Sequence, residues 1–399
     1  MRRTLCALPV WLSTSTKSAH AQRSSFAGSK FFFSPKKQGF ARPKKSIPFR
    51  KILERLEWVT PESGPPIRIG LDIGGTSIRT LTLEHSDVGV RLLDVRLLPC
   101  QGDPLANLTQ DLKRIFTERL EDNVQVNAAV SGASTLVRYI SMPKMSEKEF
   151  KQSMAYEAEK YIPYQINDVV VDSHLLGNDQ DERGKKITKG ILAVCKKEAV
   201  KAVIQACREV EAPLAIIDAP PLAIINAFQF NYPDAGKQVI GLLYMSHHAS
   251  TLSIIHKGEP VFTREISFGG TDITQAISKV TSVSIEQAEK KKIAFDWERD
   301  ADLRTTIKET LGFLSQEIRL SFNYFENHVS AAEAPTKLYV TGSSTQLDHL
   351  IEILASLLGI EVLDWDPFAR VKIDPQVEAS RVARLKSGLA VCTGLAVRF

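Results

Sequence analysis

Ile67-Arg68-Ile69-Gly70-Leu71-Asp72-Ile73, then Gly74-Gly75-Thr76, then Ser77-Ile78-Arg79 reads as a strand, a glycine turn and a second strand. Apolar alternation and the Gly-Gly tip predict a β-hairpin that continues to Leu83. An acid at a strand end, followed by glycines that let backbone N–H groups approach an anion, is suited to holding phosphate. Asp72 would reach a metal ion through water, with Gly74, Gly75, Thr76, Ser77 and Arg79 around the phosphate. A strand and not a helix follows the turn, which argues against both the Walker A and the dinucleotide-binding loops. A Gly-Gly hairpin tip also occurs with no ligand at all.

Working outward, further strands are expected at Val88–Leu98, Val124–Val130, Val137–Met142, Val169–Leu175, Lys189–Val194, Val239–Tyr244, Ser250–His256, Pro260–Ser267 and Lys337–Thr341. Helices are expected at Pro104–Leu120, Glu147–Tyr161, Lys197–Glu211, Pro221–Phe230, Thr271–Val280, Ile307–Glu326 and Thr345–Leu358. In the Ile307–Glu326 helix, Leu311, Leu314, Ile318, Phe322 and Phe325 form one apolar stripe, which assigns its aromatics to a core. Strands and helices alternate, so the class is α/β. The hairpin theme recurs from Val239, which implies a duplicated fold with a cleft between its halves.

The chain has 399 residues, too many for one core. Its net charge of +5 comes from one end: residues 1–51 hold 12 Lys or Arg and no acid, the first being Glu54. The remainder is acidic, with 39 basic against 46 acidic side chains, so no nucleic-acid-binding surface is indicated for the body. The five cysteines, Cys6, Cys100, Cys195, Cys207 and Cys392, have no metal-ligand spacing and fit a reducing compartment. The longest apolar run, Pro213–Phe228, carries Asp218, Asn226 and three prolines and is not a membrane span.

The basic end admits three readings: a weak signal peptide, an organellar transit peptide, or a disordered extension or start-site artefact. Within Ile47–Trp58, Phe49, Ile52, Leu53 and Leu56 recur at helical spacing beside Arg50, Lys51 and Arg55. That is a short basic amphipathic helix, suited to packing on the body or to touching an anionic membrane surface.

The opening hairpin resembles the first phosphate loop of the actin, Hsp70 and sugar-kinase superfamily. Later segments select a branch. Tyr156-Glu157-Ala158-Glu159-Lys160-Tyr161-Ile162-Pro163-Tyr164, Val169-Val170-Val171-Asp172 and Leu175-Leu176-Gly177 resemble the PilM family of type IV pilus assembly proteins. So do Ala193-Val194-Cys195-Lys196-Lys197-Glu198, Ile217-Asp218-Ala219, Phe262 to Gly270, Gln316-Glu317-Ile318-Arg319 and Gly394-Leu395-Ala396-Val397-Arg398. The resemblance covers about residues 66–399. It implies a duplicated actin-like (ribonuclease H-like) fold, related to the division protein FtsA, with two lobes around a nucleotide cleft. Lobe 1 would span 61–233 (subdomain 1A, with a 1C-type insertion at about 141–218), after a tail at 1–60. Lobe 2 would span 234–399 (2A), with 2B inserted at about 281–335.

The resemblance further implies ATP with magnesium as cofactor, a cytoplasmic location peripheral to the inner membrane, and a partner in the N-terminal peptide of PilN, lying between 1A and 1C. Arg138, Tyr156, Tyr161, Ile162, Pro163 and Tyr164 are the partner candidates, although a helix end followed by Ile-Pro also simply packs an aromatic. Departures are plain. Where the family has an Asp-x-Gly second phosphate loop, this chain reads Leu243-Tyr244-Met245-Ser246-His247-His248-Ala249, with neither acid nor glycine. His247 and His248 are expected on opposite faces of a strand, which argues against a shared metal. Val340-Thr341-Gly342-Ser343-Ser344 keeps one glycine of the adenosine loop, leaving Gly342 and Ser343 as contacts. Ala288-Glu289-Lys290-Lys291-Lys292 matches a nucleoside-contacting helix, making Glu289 and Lys292 candidates unless the run is only a solvated face. Gly269-Gly270-Thr271 opens a helix whose N-terminus would attract an anion. With one acidic jaw missing, ATP hydrolysis is expected to be weak or absent.

Two rival functions share the opening hairpin. One is a membrane-tethered polymerising actin homologue of the FtsA type, which would form homo-oligomers. The other is a glucokinase-like sugar kinase, for which Asn178-Asp179 would be the catalytic pair, but that dipeptide is read as part of a polar loop.

Overall fold

The computed structural model describes residues 66–398, apart from 101, 118, 119, 121, 122, 133, 181–183, 236, 237 and 330–332. The basic tail and the amphipathic stretch at 47–58 lie outside the described residues. The order is β1 (Ile67–Ile73), β2 (Ser77–Ser86), β3 (Gly89–Pro99), α1 (Leu108–Ile115), β4 (Val124–Val130), β5 (Thr135–Pro143), α2 (Glu147–Glu157), β6 (Val169–Gln180), β7 (Lys186–Lys196), α3 (Lys197–Glu209), β8 (Leu214–Asp218) and α4 (Pro220–Asn231). It continues with β9 (Ile240–Met245), β10 (Ser250–His256), β11 (Glu259–Ile266), α5 (Gly270–Thr281), α6 (Ile285–Ile293), α7 (Ala301–His328), β12 (Lys337–Thr341), α8 (Leu350–Leu358), β13 (Glu361–Asp364), β14 (Val371–Ile373), α9 (Ala379–Leu385) and α10 (Ala390–Ala396).

Two sheets repeat one plan. The first is ordered β14-β3-β2-β1-β4-β8 and the second β11-β10-β9-β12-β13. In each, an antiparallel three-stranded meander continues into two parallel strands, so β1–β4 and β8 correspond to β9–β12 and β13. The central strands read as near-continuous apolar runs because helices cover both faces: β4 is buried along almost its whole length and β9 throughout. The α7 stripe of Leu311, Leu314, Ile318, Phe322 and Phe325 is buried against the second sheet with Leu338 and Val340, as its spacing predicts.

The halves exchange their terminal helices. α4 follows the first sheet yet packs Leu222, Ile225 and Phe228 into a core with Ile240, Leu242 and Tyr244 of β9. α10, at the C-terminus, packs instead on β1, β2 and β4. The two helices cross so closely that a Cβ on Gly394 would lie 1.6 Å from the Ala223 carbonyl oxygen. β14 also pairs with β3. A boundary at residue 233 is therefore not clean, because the segment from Val371 onward joins the first sheet and α4 joins the second.

A third sheet, ordered β5-β7-β6, is inserted between β4 and α3. It spans Thr135–Lys196, which corrects the expected 141–218: α3 and β8 return to the first lobe, where β8 pairs with β4 and α3 buries Val200 and Val203 in its core. Short elements escape pattern reading. β8, β13, β14, α9 and α10 are not among the expected elements, and the helix expected at Pro104–Leu120 occupies only Leu108–Ile115.

Candidate functional site

The β1–β2 turn carries the first group of site residues. Asp72, the penultimate residue of β1, lies directly across the hairpin from Arg79. Its carboxylate is buried; Oδ2 accepts from Arg79 Nη1 at 3.2 Å and Oδ1 from Ser131 Oγ at 3.0 Å. Burial raises the affinity of this carboxyl for a proton, against the opposing pull of Arg79 and Ser131. Gly74 and Ser77 are buried, Gly74 N–H donates to the Ser77 carbonyl at 3.0 Å, and Gly75 forms the exposed tip with Thr76 half-covered beside it.

The β9–β10 turn is the counterpart. Ile73 pairs with Ile78 and Asp72 with Arg79 in the first hairpin; Met245 pairs with Ser250 and Tyr244 with Thr251 in the second. Counting back from the turn, Tyr244 occupies the position of Asp72, Ser246 that of Gly74, and His247 and His248 those of Gly75 and Thr76. The missing acid is thus a buried tyrosine. Its hydroxyl donates to the Gly388 carbonyl at 3.3 Å, and burial pushes its pKa upward, with nearby Arg79 only partly opposing. Comparing hairpin registers would have found Tyr244 from sequence; Ser131 and Gly388 come from distant elements and left no such signal.

His247 and His248 lie in the turn, not in the strand, since the Ser246 N–H closes onto the Ala249 carbonyl at 3.0 Å. The expectation of opposite faces therefore fails, and the rings meet edge to face with centroids 4.7 Å apart. His248 Cδ2 lies 3.6 Å from where a Cβ on Gly75 would stand, so the two turns face one another across this imidazole.

The remaining nucleotide candidates gather behind the second turn, but mostly as its scaffold. Gly270 N–H donates to the Ser246 carbonyl (3.1 Å), Thr271 N–H to the His247 carbonyl (2.9 Å), and Gly269 N–H to Asp272 Oδ2 (2.8 Å). The α5 N-terminus thus has its first donors engaged, which corrects its reading as an open anion site. Lys292 Nζ reaches the Gly270 carbonyl (3.0 Å), Thr274 Oγ1 (2.9 Å) and Glu289 (2.7 Å), so Glu289 and Lys292 form a half-buried pair and not a solvated face. Gly342, at φ +129°, lies against Met245, where a Cβ would come within 2.2 Å of the backbone oxygen. Ser343 packs beside Gly388, while Ser344 ties to the second turn through Met245 and Ser246 carbonyls at 3.1 and 2.8 Å.

Magnesium, the ion the fold class implies, does not fit these donors. Both Asp72 oxygens are engaged and the second carboxylate is a phenol. Among the described residues no group of three or more His, Cys, Asp or Glu could hold a metal ion.

A groove of about 1260 Å³ opens between the insert and the second lobe, and not between 1A and 1C, where the family resemblance places the PilN peptide. Its long walls are β5 and β11, each the edge strand of its sheet, with Leu320, Tyr324 and His328 of α7 at one side. Tyr139 Oη and Thr263 Oγ1, 3.2 Å apart, join the strands. Arg138 and Tyr164 line this groove. Ile162 is instead buried in the insert core with Tyr161 packed against it, Pro163 is exposed nearby, and Tyr156 is 68% exposed on α2. Asn178 and Asp179 lie in β6, paired with Thr188 and Ile187, and not in a loop; the Asn178 side chain accepts from Thr188 Oγ1 at 2.8 Å.

A family model described as type IV pilus assembly protein PilM matches residues 70–399. The chain belongs to the PilM family. A solved PilM–PilN type IV pilus biogenesis complex is similar to it over 83% of this chain and 98% of the other, at 24% identity and a TM-score of 0.70. That likeness shows the fold, the actin-like one, which in this PilM-family chain is the duplicated pair of sheets with the β5-β7-β6 insert. More distant likenesses are the ethanolamine utilization protein EutJ of Carboxydothermus hydrogenoformans (14% identity, 88% and 97% covered, TM-score 0.49) and MreB5 of Spiroplasma citri bound to ADP (13%, 84% and 95%, 0.44). Among the described residues of this PilM-family chain, no helix is long and apolar enough to cross a membrane.

Proposed function

We propose that this chain is a scaffold of the type IV pilus assembly platform, cytoplasmic and peripheral to the inner membrane, that docks the N-terminal peptide of a PilN-like membrane protein. The observation that carries this reading is the groove between β5 and β11. Edge strands present backbone donors and acceptors along one side, and an extended peptide adds to such an edge as a further strand. Tyr139, Phe262 and Tyr324 supply apolar walls between them. Of the candidates drawn from the family resemblance, Arg138 and Tyr164 stand where they would touch such a peptide; Tyr161 and Ile162 support the insert that carries them. Hydrolysis of ATP is expected to be weak or absent, because the second hairpin has no carboxylate and the Asp72 carboxylate of the first is held by Arg79 and Ser131.

Titration of the full chain with a fluorescent N-terminal peptide of the PilN-like protein tests the reading. Micromolar binding that weakens about tenfold in Arg138→Glu is expected. Absence of binding by the wild-type chain would remove it.

A further inference from the structure

We infer that a peptide in the β5–β11 groove brings a lysine or arginine side chain to Glu265, which selects for that cation. This rests on the docking of a peptide there, as proposed above, and names the chemistry by which the groove chooses one. β11 divides its side chains between two faces. Phe262 and Arg264 turn to α7: the Phe262 and Tyr324 ring centroids are 6.0 Å apart, and Arg264 donates to Glu317 Oε2 at 2.5 Å and to Ser321 Oγ at 3.1 Å. Thr263 turns to the insert, where its hydroxyl meets Tyr139 Oη at 3.2 Å. Glu265 shares that face, about 7 Å along the strand from Thr263, and pairs across the ladder with Thr251 of β10. Glu265, Thr251 and Tyr139 all line the groove.

Nothing within the chain answers this carboxylate. Among the described residues Glu265 makes no hydrogen bond or ion pair, and the groove wall withdraws it from water enough to raise its pKa, with no cation opposing. The basic side chains of the lining are placed otherwise. Arg264 is spent on the α7 face, Arg138 leaves β5 on the face opposite Tyr139 and donates to the Val137 carbonyl at 3.3 Å, and Lys189 lies on β7, opposite Ser141. Lys257 and Glu259 stand together at the β10–β11 turn, the far end of β11. A peptide lying over the wall would cover Glu265 further, and a carboxylate taken out of water is costly unless it is paired. It offers acceptors only, and the N–H groups of an added strand are spent in part on the strand edge. The donor must then come from a peptide side chain, and Lys or Arg supplies the opposite charge with it. Of the stretch from Phe262 to Gly270 that marks the family in sequence, Phe262, Thr263, Arg264, Gly269 and Gly270 have contacts that account for them. Glu265 is the member whose partner has to come from outside.

Titration of the full chain with the fluorescent N-terminal peptide of the PilN-like protein, and with versions in which each Lys or Arg is replaced by Gln in turn, tests this. One replacement is expected to weaken binding to the wild-type chain about tenfold, and Glu265→Gln to weaken binding of the unaltered peptide by a similar factor. Made together, the two changes should cost no more than either alone, as a double-mutant cycle shows for groups in contact. Glu265→Lys paired with Glu at the same peptide position should recover most of the binding. Glu265 is exposed, so these variants should unfold in urea as the wild type does. Tight binding of the peptide with no such coupling, or of a peptide that carries no Lys or Arg, would overturn the role of Glu265 and leave the scaffold reading standing. Absence of binding by the wild-type chain would remove both.

Discussion

The β1–β2 and β9–β10 hairpins share strand order, register and position in their sheets, yet one ends in Asp-Ile-Gly-Gly and the other in Tyr-Met-Ser-His. Topology is duplicated while chemistry has diverged. The sheet requires of each hairpin a correctly registered strand pair whose buried polar groups are hydrogen-bonded, a demand that Tyr244, bonded to Gly388, meets as well as Asp72, held by Arg79 and Ser131. The turn residues face the cleft and are under no such demand from the core. A fold can therefore persist intact after the turn of one half has changed.

The largest expected effect compares the two central strands. In β1, a Cβ on Gly70 would come within 2.0 Å of the Cys392 backbone oxygen; in β9, a Cβ on Gly241 would meet only the ends of Leu338 and Phe322. Gly70→Ala is expected to cost about 4 kcal/mol or more, and Gly241→Ala about 1 to 2, because backbone cannot move aside as side-chain ends can. Similar losses in urea unfolding would break the comparison. Asp72→Asn should follow at about 3 kcal/mol, since it leaves Arg79 buried without its carboxylate.

His85 sharpens the assignment of the C-terminal helix to the first lobe. Its Nε2 lies 2.9 Å from the Ala396 carbonyl oxygen, and burial, aided by Arg68, lowers its pKa to about 4. The unfolded chain then binds a proton that the folded chain does not, so stability should fall as pH drops through the window from about 6.5 to 4. About 1 to 2 kcal/mol should be lost between about pH 7 and about pH 5, and His85→Gln should shrink that loss. An unchanged pH profile in the variant would detach the helix from this account. The smallest effect is Tyr244→Phe, which gives up the bond to Gly388 for about 1 kcal/mol in urea unfolding.

Much of this was legible without coordinates. Long strands and amphipathic helices carry their own period: Val124–Val130, Ser250–His256 and Lys337–Thr341 fall where alternation places them, and the α7 stripe where its spacing does. The Gly74-Gly75 turn was equally plain. Less legible were β13 and β14, of four and three residues, too short for a period to show. The partner candidates divided on the same ground: Tyr161 and Ile162 read as a motif, but packing in the insert core accounts for their positions.

By itself the amino-acid order determined the α/β class, the duplication, the glycine turn at Gly74-Gly75 and the loss of acid and glycine from its counterpart, because these are properties of local pattern. Only the tertiary structure decided that Tyr244 stands for the missing acid, that Asp72 is already held by Arg79 and Ser131, that the α5 N-terminus is closed by the histidine turn, and that a groove lies between β5 and β11. Each of these depends on groups far apart in the chain. Their meeting is set by how the two sheets and their exchanged helices pack, which no local period records.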